Sequence, residues 1–419
     1  MEFKTISVIG LGYIGLPTAA AFASRNVSVI GVDVNQEAID IINQGKIHIV
    51  EPDLDIAVQS AVNAGYLRAT TTPEPADAFL IAVPTPFKGD HEPDLAYIES
   101  AIKAIAPVLK EGDLVILEST SPVGTTEKMA EWISEQRPDL VPPPFNTQNP
   151  TLKIKIAHCP ERVLPGHVMR ELIENDRVIG GLTPECSQAS VDLYKIFVQG
   201  DCIITNARTA EMAKLTENSF RDVNIAFANE LSLICDKLNI NVWELIELAN
   251  RHPRVNILQP GPGVGGHCIA VDPWFIIDKT PNEAKLIHAS RLVNDGKPHY
   301  VINLVKKVAK KYNNPTIACF GLAFKADIDD LRESPALEIA LELAKSNIGK
   351  ILLIEPNIKK IPSAFYALGH VELVNIDTAL NKTSIVLGLV SHKEFKKIQL
   401  SRLKETTIID TCGIWNENT

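Results

Sequence analysis

The sequence predicts an α/β fold, in which two doubly wound parallel sheets are separated by one long helix. Three observations point there. Short β-branched runs alternate with helical stretches over about the first 205 residues, Thr209 to Leu238 contain neither Pro nor Gly, and a second strand–helix alternation begins near Pro315. A chain of 419 residues is also too long for one ordinary core.

In chain order, the first strand candidates are Thr5–Ile9, Val27–Val32, Ala78–Val83, Asp113–Glu118, Lys155–His158, Arg177–Ile179 and Cys202–Thr205. Between them, Val141–Thr151 carries three consecutive prolines without periodicity and reads as a surface excursion. Thr209–Leu238 is rich in Ala, Leu, Glu and Lys and reads as one helix. A helix of that length bridges domains or builds a subunit interface. Ala249–Asp272 then places Pro253, Pro260 and Pro262 among Gly261, Gly263, Gly265 and Gly266, the composition of a loop with a defined shape. Thr316–Phe320, Lys350–Glu355, Ser384–Val390 and Thr406–Asp410 are the later strands, with Pro335–Lys345 a helix between the first two. The expected division is 1–205, 206–300 and 301–419.

Apolar residues make up 45% and charged residues 22%, an ordinary globular balance. A net charge of -10 argues against nucleic acid or an anionic membrane surface as a bulk partner, so an anionic substrate needs local cations. No apolar run is long enough to span a membrane and no secretory leader is evident. The cysteine count is odd, with wide spacings and no CxxC, which suits a reducing cytoplasm and no metal site.

Gly10-Leu11-Gly12-Tyr13-Ile14-Gly15 matches GxGxxG, follows an apolar strand and opens a helical stretch. Asp33 ends the next strand. This is the context a dinucleotide fingerprint requires. Gly10 permits the tight turn, Gly12 lets a pyrophosphate approach the backbone, and Gly15 lets helix and strand pack closely. An acid at Asp33 accepts from ribose hydroxyls and repels a 2′-phosphate, so NAD is favoured over NADP.

Chemical candidates lie further along. Lys214, Asn218 and Arg221 share one face of the long helix, which is also what a solvated face looks like. Cys268 ends PGPGVGGHC; a lone cysteine is more often a small buried hydrophobe, but the glycines before it allow a ligand close to the backbone. Asp272, four residues on, is either a functional acid or a turn cap before Pro273. Lys325 and Arg332 follow the first strand of the second alternation, at the mouth where doubly wound sheets hold ligands, or in a surface charge cluster.

The segments VIGLGYIGLPTAAAFA, IAVPTPFKGDHEPD, ESTSPVGTTEKMAEW, CPERVLPG, AEMAKLTENSFRDVNIAFANELSLICD, NRHPRVNILQPGPGVGGHCIAVDPWF and FGLAFKADIDDLRESPA are long, ordered and specific. Together they resemble the UDP-glucose/GDP-mannose dehydrogenase family over essentially the whole chain. The block from Ala249 to Phe275 points to the branch acting on UDP-N-acetyl-D-mannosamine. The resemblance implies two Rossmann-like domains joined by a long central helix, a homodimer, and NAD-dependent oxidation of the sugar C6 alcohol to a uronic acid. It places Tyr13, Ile14, Asp33, Thr85, Thr126 and Arg332 at NAD positions. It places Arg162, Val163, Lys214, Asn218, Arg221, His252, Arg254, Gly265, Phe324 and Lys325 at substrate positions. Cys268 matches the nucleophile, Lys214 the acid/base lysine, and Thr120, Glu161 and Asp272 the supporting polar residues. Two departures stand out. Pro165 and Gly166 replace an Arg-Glu pair of the UDP-glucose branch, and Cys412 stands where the family usually has a substrate-binding arginine, so that either Lys393 or Lys396 supplies the charge or the substrate is bound with a raised KM, the expected outcome.

Overall fold

The computed structural model describes residues 3–89, 91–143, 151–164, 166–266 and 268–415. Most of the expected excursion at Val141–Thr151 lies outside the described residues, and so does Pro165; Val141 itself is buried. Backbone contacts gather the chain into two compact units, Met1–Glu217 with Trp274–Thr280, and Asn218–Pro273 with Pro281–Thr419.

The first unit holds strands β1 (Thr5–Ile9), β2 (Ser28–Val32), β3 (Leu67–Thr70), β4 (Ala78–Ile81), β7 (Leu114–Leu117), β8 (Lys155–His158), β9 (Arg177–Gly181) and β10 (Cys202–Asn206). A short hairpin, β5 (Phe87–Lys88) and β6 (Glu92–Pro93), stands apart. The sheet order is β10-β9-β8-β7-β4-β1-β2-β3. Val8, Leu80 and Ile116 face one apolar cluster while Ile9, Ile81 and Leu117 face another. Burial on both faces explains the near-continuous apolar runs of these strands, and each such side chain contributes about 1.5–3 kcal/mol. The expected strands are present, with one correction to their direction: β9 runs antiparallel to β8, with Ala157 opposite Gly181. The chain between them sends the helix Val168–Glu174 into the cluster around Leu16 and Phe22, so it re-enters the sheet reversed. β3 escaped prediction because Leu-Arg-Ala-Thr, half buried at a sheet edge, is too short to show a period.

The second unit carries β11 (Thr316–Phe320), β12 (Lys350–Ile354), β13 (Val371–Leu373), β14 (Ile385–Gly388) and β15 (Thr407–Asp410), all parallel, in the order β13-β12-β11-β14-β15. The helix Pro335–Lys345 begins where expected, with Ser334 accepting the Leu337 N–H and Pro335 in the first turn. The long helix runs Ala207–Leu238, two residues earlier than the composition suggested. Among the described residues, no helix is long and apolar enough to cross a membrane.

Candidate functional site

In the first unit, Gly10 follows β1 with φ +92, and its N–H donates to Val32 O at 2.8 Å. A Cβ on Gly10 would lie 2.5 Å from Ala82 O, and one on Gly15 would lie 1.8 Å from Gly10 O. Both positions therefore exclude a side chain. Gly12 differs: a Cβ there would meet nothing within 4 Å. The helix Gly15–Ala23 has no side-chain cap at its start, so the positive end of its dipole faces the glycine turn without a side chain over it. Asp33 accepts the Leu11 N–H at 2.8 Å and the Asn35 N–H at 2.9 Å, and is only half buried. Bare backbone over Gly12, a helix start without a side-chain cap and an accessible acid fit a dinucleotide. Tyr13 and Ile14 flank that opening, with Tyr13 exposed.

The neighbouring strand ends are bound together by short contacts. The Thr85 hydroxyl donates to Thr120 O at 2.6 Å, and Ser119 to Val83 O at 2.7 Å. Thr126 is fully buried and donates its hydroxyl to Glu211 of the long helix at 2.6 Å. The same carboxylate accepts the Gly124 and Thr126 N–H groups, and so caps the helix Thr125–Gln136 from outside it. Burial pushes Glu211 up, against these hydrogen bonds.

Glu161 is buried beyond β8. It accepts from Arg177 Nη1 at 2.6 Å and from the Arg162 N–H at 2.7 Å. Arg162 reaches Glu217 at 2.6 Å, and Val163 packs on the apolar core. On the long helix Lys214 is half buried.

In the second unit, Cys268 is exposed at the end of the glycine loop. Its carbonyl accepts the Val271 and Asp272 N–H groups, so the chain turns directly into the helix Asp272–Lys279. Asp272 is buried and accepts from Asn218 Nδ2 at 2.5 Å. Arg221 is exposed. The loop before Cys268 is anchored at Gly261, whose N–H donates to Asn229 Oδ1 at 2.9 Å. Asn229 donates to Asn294 at 2.8 Å, Asn294 to Asp222 at 2.8 Å, and Arg291 to the same Asp222 oxygen at 2.6 Å. The exposed pair His252 and Arg254 sits on a segment clamped by Asn250, which exchanges two hydrogen bonds with Ile257.

Gly265 and Gly266 lie against the turn after β11. A Cβ on Gly265 would be 2.3 Å from Glu333 O and 3.1 Å from Phe324 Cβ, and one on Gly266 would be 3.0 Å from the Phe324 ring. Lys325 beside Phe324 is exposed. Arg332 is exposed and forms a forked contact with Asp330 on its own turn. Cys412 packs with the cluster of Phe320, Phe395 and Trp415, and burial pushes its thiol up. The residues that sequence reasoning missed are the supports: Glu211, Arg177, and the Asp222–Arg291–Asn294–Asn229 chain. Charged and amide side chains whose partners lie far along the chain carry no local signal of what they hold.

Three models of the UDP-glucose/GDP-mannose dehydrogenase family match in succession, the NAD binding domain at residues 4–198, the central domain at 208–296 and the UDP binding domain at 318–417. The UDP-N-acetyl-D-mannosamine dehydrogenase of Campylobacter jejuni is 66% identical over 403 residues, covering 96% of this chain and 98% of that one. The NDP-N-acetyl-D-galactosaminuronic acid dehydrogenase of Ralstonia nicotianae is 64% identical over 416 residues, covering 99% and 97%. Among solved structures, the UDP-N-acetyl-mannosamine dehydrogenase of Staphylococcus aureus is similar with a TM-score of 0.85 at 43% identity, covering 98% of this chain and 95% of that one.

Proposed function

The chain belongs to the UDP-glucose/GDP-mannose dehydrogenase family, and on that premise we propose that it oxidises the C6 alcohol of UDP-N-acetyl-D-mannosamine to UDP-N-acetyl-D-mannosaminuronate. The observation that carries the chemistry is an exposed Cys268 ending a glycine loop, four residues before an Asp272 bonded to Asn218. The names of relatives such as that of Campylobacter jejuni carry the sugar. The balance is one alcohol, two NAD and one water giving one carboxylate, two NADH and three protons.

NAD, when bound, supplies the hydride acceptor for each oxidation. The cofactor side of the reading uses Gly10, Gly12 and Gly15 for the turn and Asp33 for the ribose, with Tyr13, Ile14, Thr85 and Thr126 as further contacts and Arg332 as a charged one. After the first oxidation, the Cys268 thiolate adds to the C6 aldehyde and forms a thiohemiacetal. Loss of a second hydride from C6 leaves a thioester on Cys268, and water releases the acid with return of the thiol. The covalent sulfur retains the reactive aldehyde between the two oxidations. Lys214 is assigned proton transfer and oxyanion stabilisation, and Asn218, held by Asp272, a neutral donor role. Glu161, fixed by Arg177, is assigned the hydrolytic water, with Thr120 in support. Arg162, Arg221, Arg254 and Lys325 offset the diphosphate charge on an otherwise acidic protein. His252, Val163, Gly265 and Phe324 complete the substrate contacts.

The reading divides the chain into an NAD-binding part at 1–205, a dimerisation part at 206–300 and a UDP-sugar part at 301–419, supported by the three successive family matches. A homodimer is supported by Phe220, Phe227 and Ile234, exposed at 71%, 51% and 46% along one stripe of the long helix. A chemistry that needs a reduced thiol and NAD suits the cytoplasm, and recovery in that fraction on cell fractionation checks it. A second reading, with the N-acetylgalactosamine sugar nucleotide as substrate, rests on the name of the Ralstonia nicotianae relative. Purified protein with NAD and a panel of UDP-hexoses separates them. The highest kcat/KM is expected for UDP-N-acetylmannosamine, and a higher value for UDP-glucose or UDP-N-acetylgalactosamine contradicts the assignment.

A further inference from the structure

The two sheets begin alike. Gly321 after β11 has φ +99 and donates its N–H to Ile354 O at 2.8 Å, as Gly10 does to Val32 O after β1. Glu355 after β12 accepts the Leu322 N–H at 2.8 Å and the Ala323 N–H at 3.1 Å, as Asp33 accepts that of Leu11. The surroundings of the two acids differ. Val34 beside Asp33 is 98% exposed, whereas Glu355 is buried and its Oε2 lies 3.0 Å from Nε2 of His392, which is wholly buried. The Asp327 N–H donates to His392 Nδ1 at 2.9 Å. An amide can only donate, so Nδ1 is the acceptor and Nε2 carries the proton given to Glu355. Asn357 also donates to Glu355, at 3.1 Å. Burial disfavours an ionised Glu355, yet the His392 and Leu322 hydrogen bonds outweigh it and hold the carboxyl below its usual value.

The far end of this chain of contacts is the turn that carries Phe324 and Lys325. Asp327 sits on it with φ +63, a conformation few side chains adopt unsupported, and its carboxylate accepts the Lys393 N–H at 3.0 Å. Phe324 in turn walls Gly265 and Gly266. We propose that His392 is a positioning residue for this turn. Bridging Glu355 and Asp327, it sets Phe324 and Lys325 for the diphosphate of the sugar nucleotide, and it fills beside Glu355 the space that remains open beside Asp33. The second sheet is thereby closed to a dinucleotide of the kind the first accepts. The proposal rests on the functional reading above, because Phe324 and Lys325 are substrate contacts only under it.

UDP is the probe, because its binding needs neither turnover nor a settled sugar. In the full chain, His392→Ala is expected to weaken UDP by about 5-fold or more, on the scale of losing one hydrogen bond that orders the turn, with NAD affinity within about 2-fold of wild type. His392→Asn restores an acceptor near the Nδ1 position and is expected to recover part of the loss. His392→Gln keeps a donor near the Nε2 position for the buried Glu355 and lacks the acceptor for the Asp327 N–H, and it decides the matter if His392→Ala does not fold. It is expected to weaken UDP and spare NAD in the same way. Unaltered UDP affinity in the folded variants, when wild type binds UDP, overturns this proposal alone; equal losses of UDP and NAD affinity in His392→Gln also overturn it. A wild-type chain that binds no UDP overturns the functional reading, and this proposal with it.

Discussion

The Leu11 and Asn35 amides already hold the Asp33 carboxylate, yet each oxygen keeps acceptor capacity for a ribose hydroxyl. A 2′-phosphate would meet that negative charge directly. Asp33→Ser keeps one acceptor and removes the charge. A hydrogen bond to a charged group is worth about 1.5–3 kcal/mol, so NAD should weaken by roughly 10- to 150-fold, and the preference over NADP should narrow. Titration of both cofactors against wild type and variant reads this; a wild type that prefers NADP contradicts the role given to Asp33. This residue was legible in the sequence because the strand, the glycines and the acid are spaced as one local unit. For Cys268 the residues alone left a buried hydrophobe and a reactive thiol both open; the structure exposes it at the end of the glycine loop. Glu211 was not legible, since its contacts with Gly124 and Thr126 join segments far apart in the chain.

The buried cluster joining three elements also has a consequence of its own. Glu118, just past β7, accepts the Tyr194 hydroxyl at 2.7 Å, and the Arg177 guanidinium of β9 lies 5.0 Å over the Tyr194 ring while pairing with Glu161. Burial, joined by the Glu161 charge, pushes Glu118 from 4.5 up to about 7. The folded chain thus keeps a proton that the unfolded chain releases, and stability falls as pH rises from about 4.5 through 7. Glu118→Gln keeps an acceptor for Tyr194 and removes the titration. The variant should gain on the order of 1–3 kcal/mol relative to wild type above neutral pH, read from denaturant midpoints across the pH range. A midpoint that declines with pH as steeply as in wild type contradicts this. At this scale the sequence showed the strands with long apolar runs, such as β1 and β11, because two covered faces leave no polar interruption. It did not show β3 or β13, short edge strands whose place is set by their partners, nor the reversal of β9, which depends on where the preceding helix packs.

The whole molecule presents an apolar stripe at Phe220, Phe227 and Ile234 on a helix that continues through both units. Covering it with a second copy removes large apolar side chains from water, so light scattering should give twice the chain mass, and Phe227→Glu should shift the distribution towards monomer. A monomeric wild type contradicts the dimer. The fold of each unit and the family were legible from ordered motifs, whereas the exposed apolar stripe was not, the sequence showing there only a helix of unusual length. A four-electron oxidation through one cysteine is read out by counting NADH. With UDP-N-acetylmannosamine limiting, two NADH and one uronic acid are expected per sugar nucleotide, and none of the acid from Cys268→Ala although that variant still binds NAD. One NADH per sugar with release of the aldehyde, or two from Cys268→Ala at the wild-type rate, would contradict it.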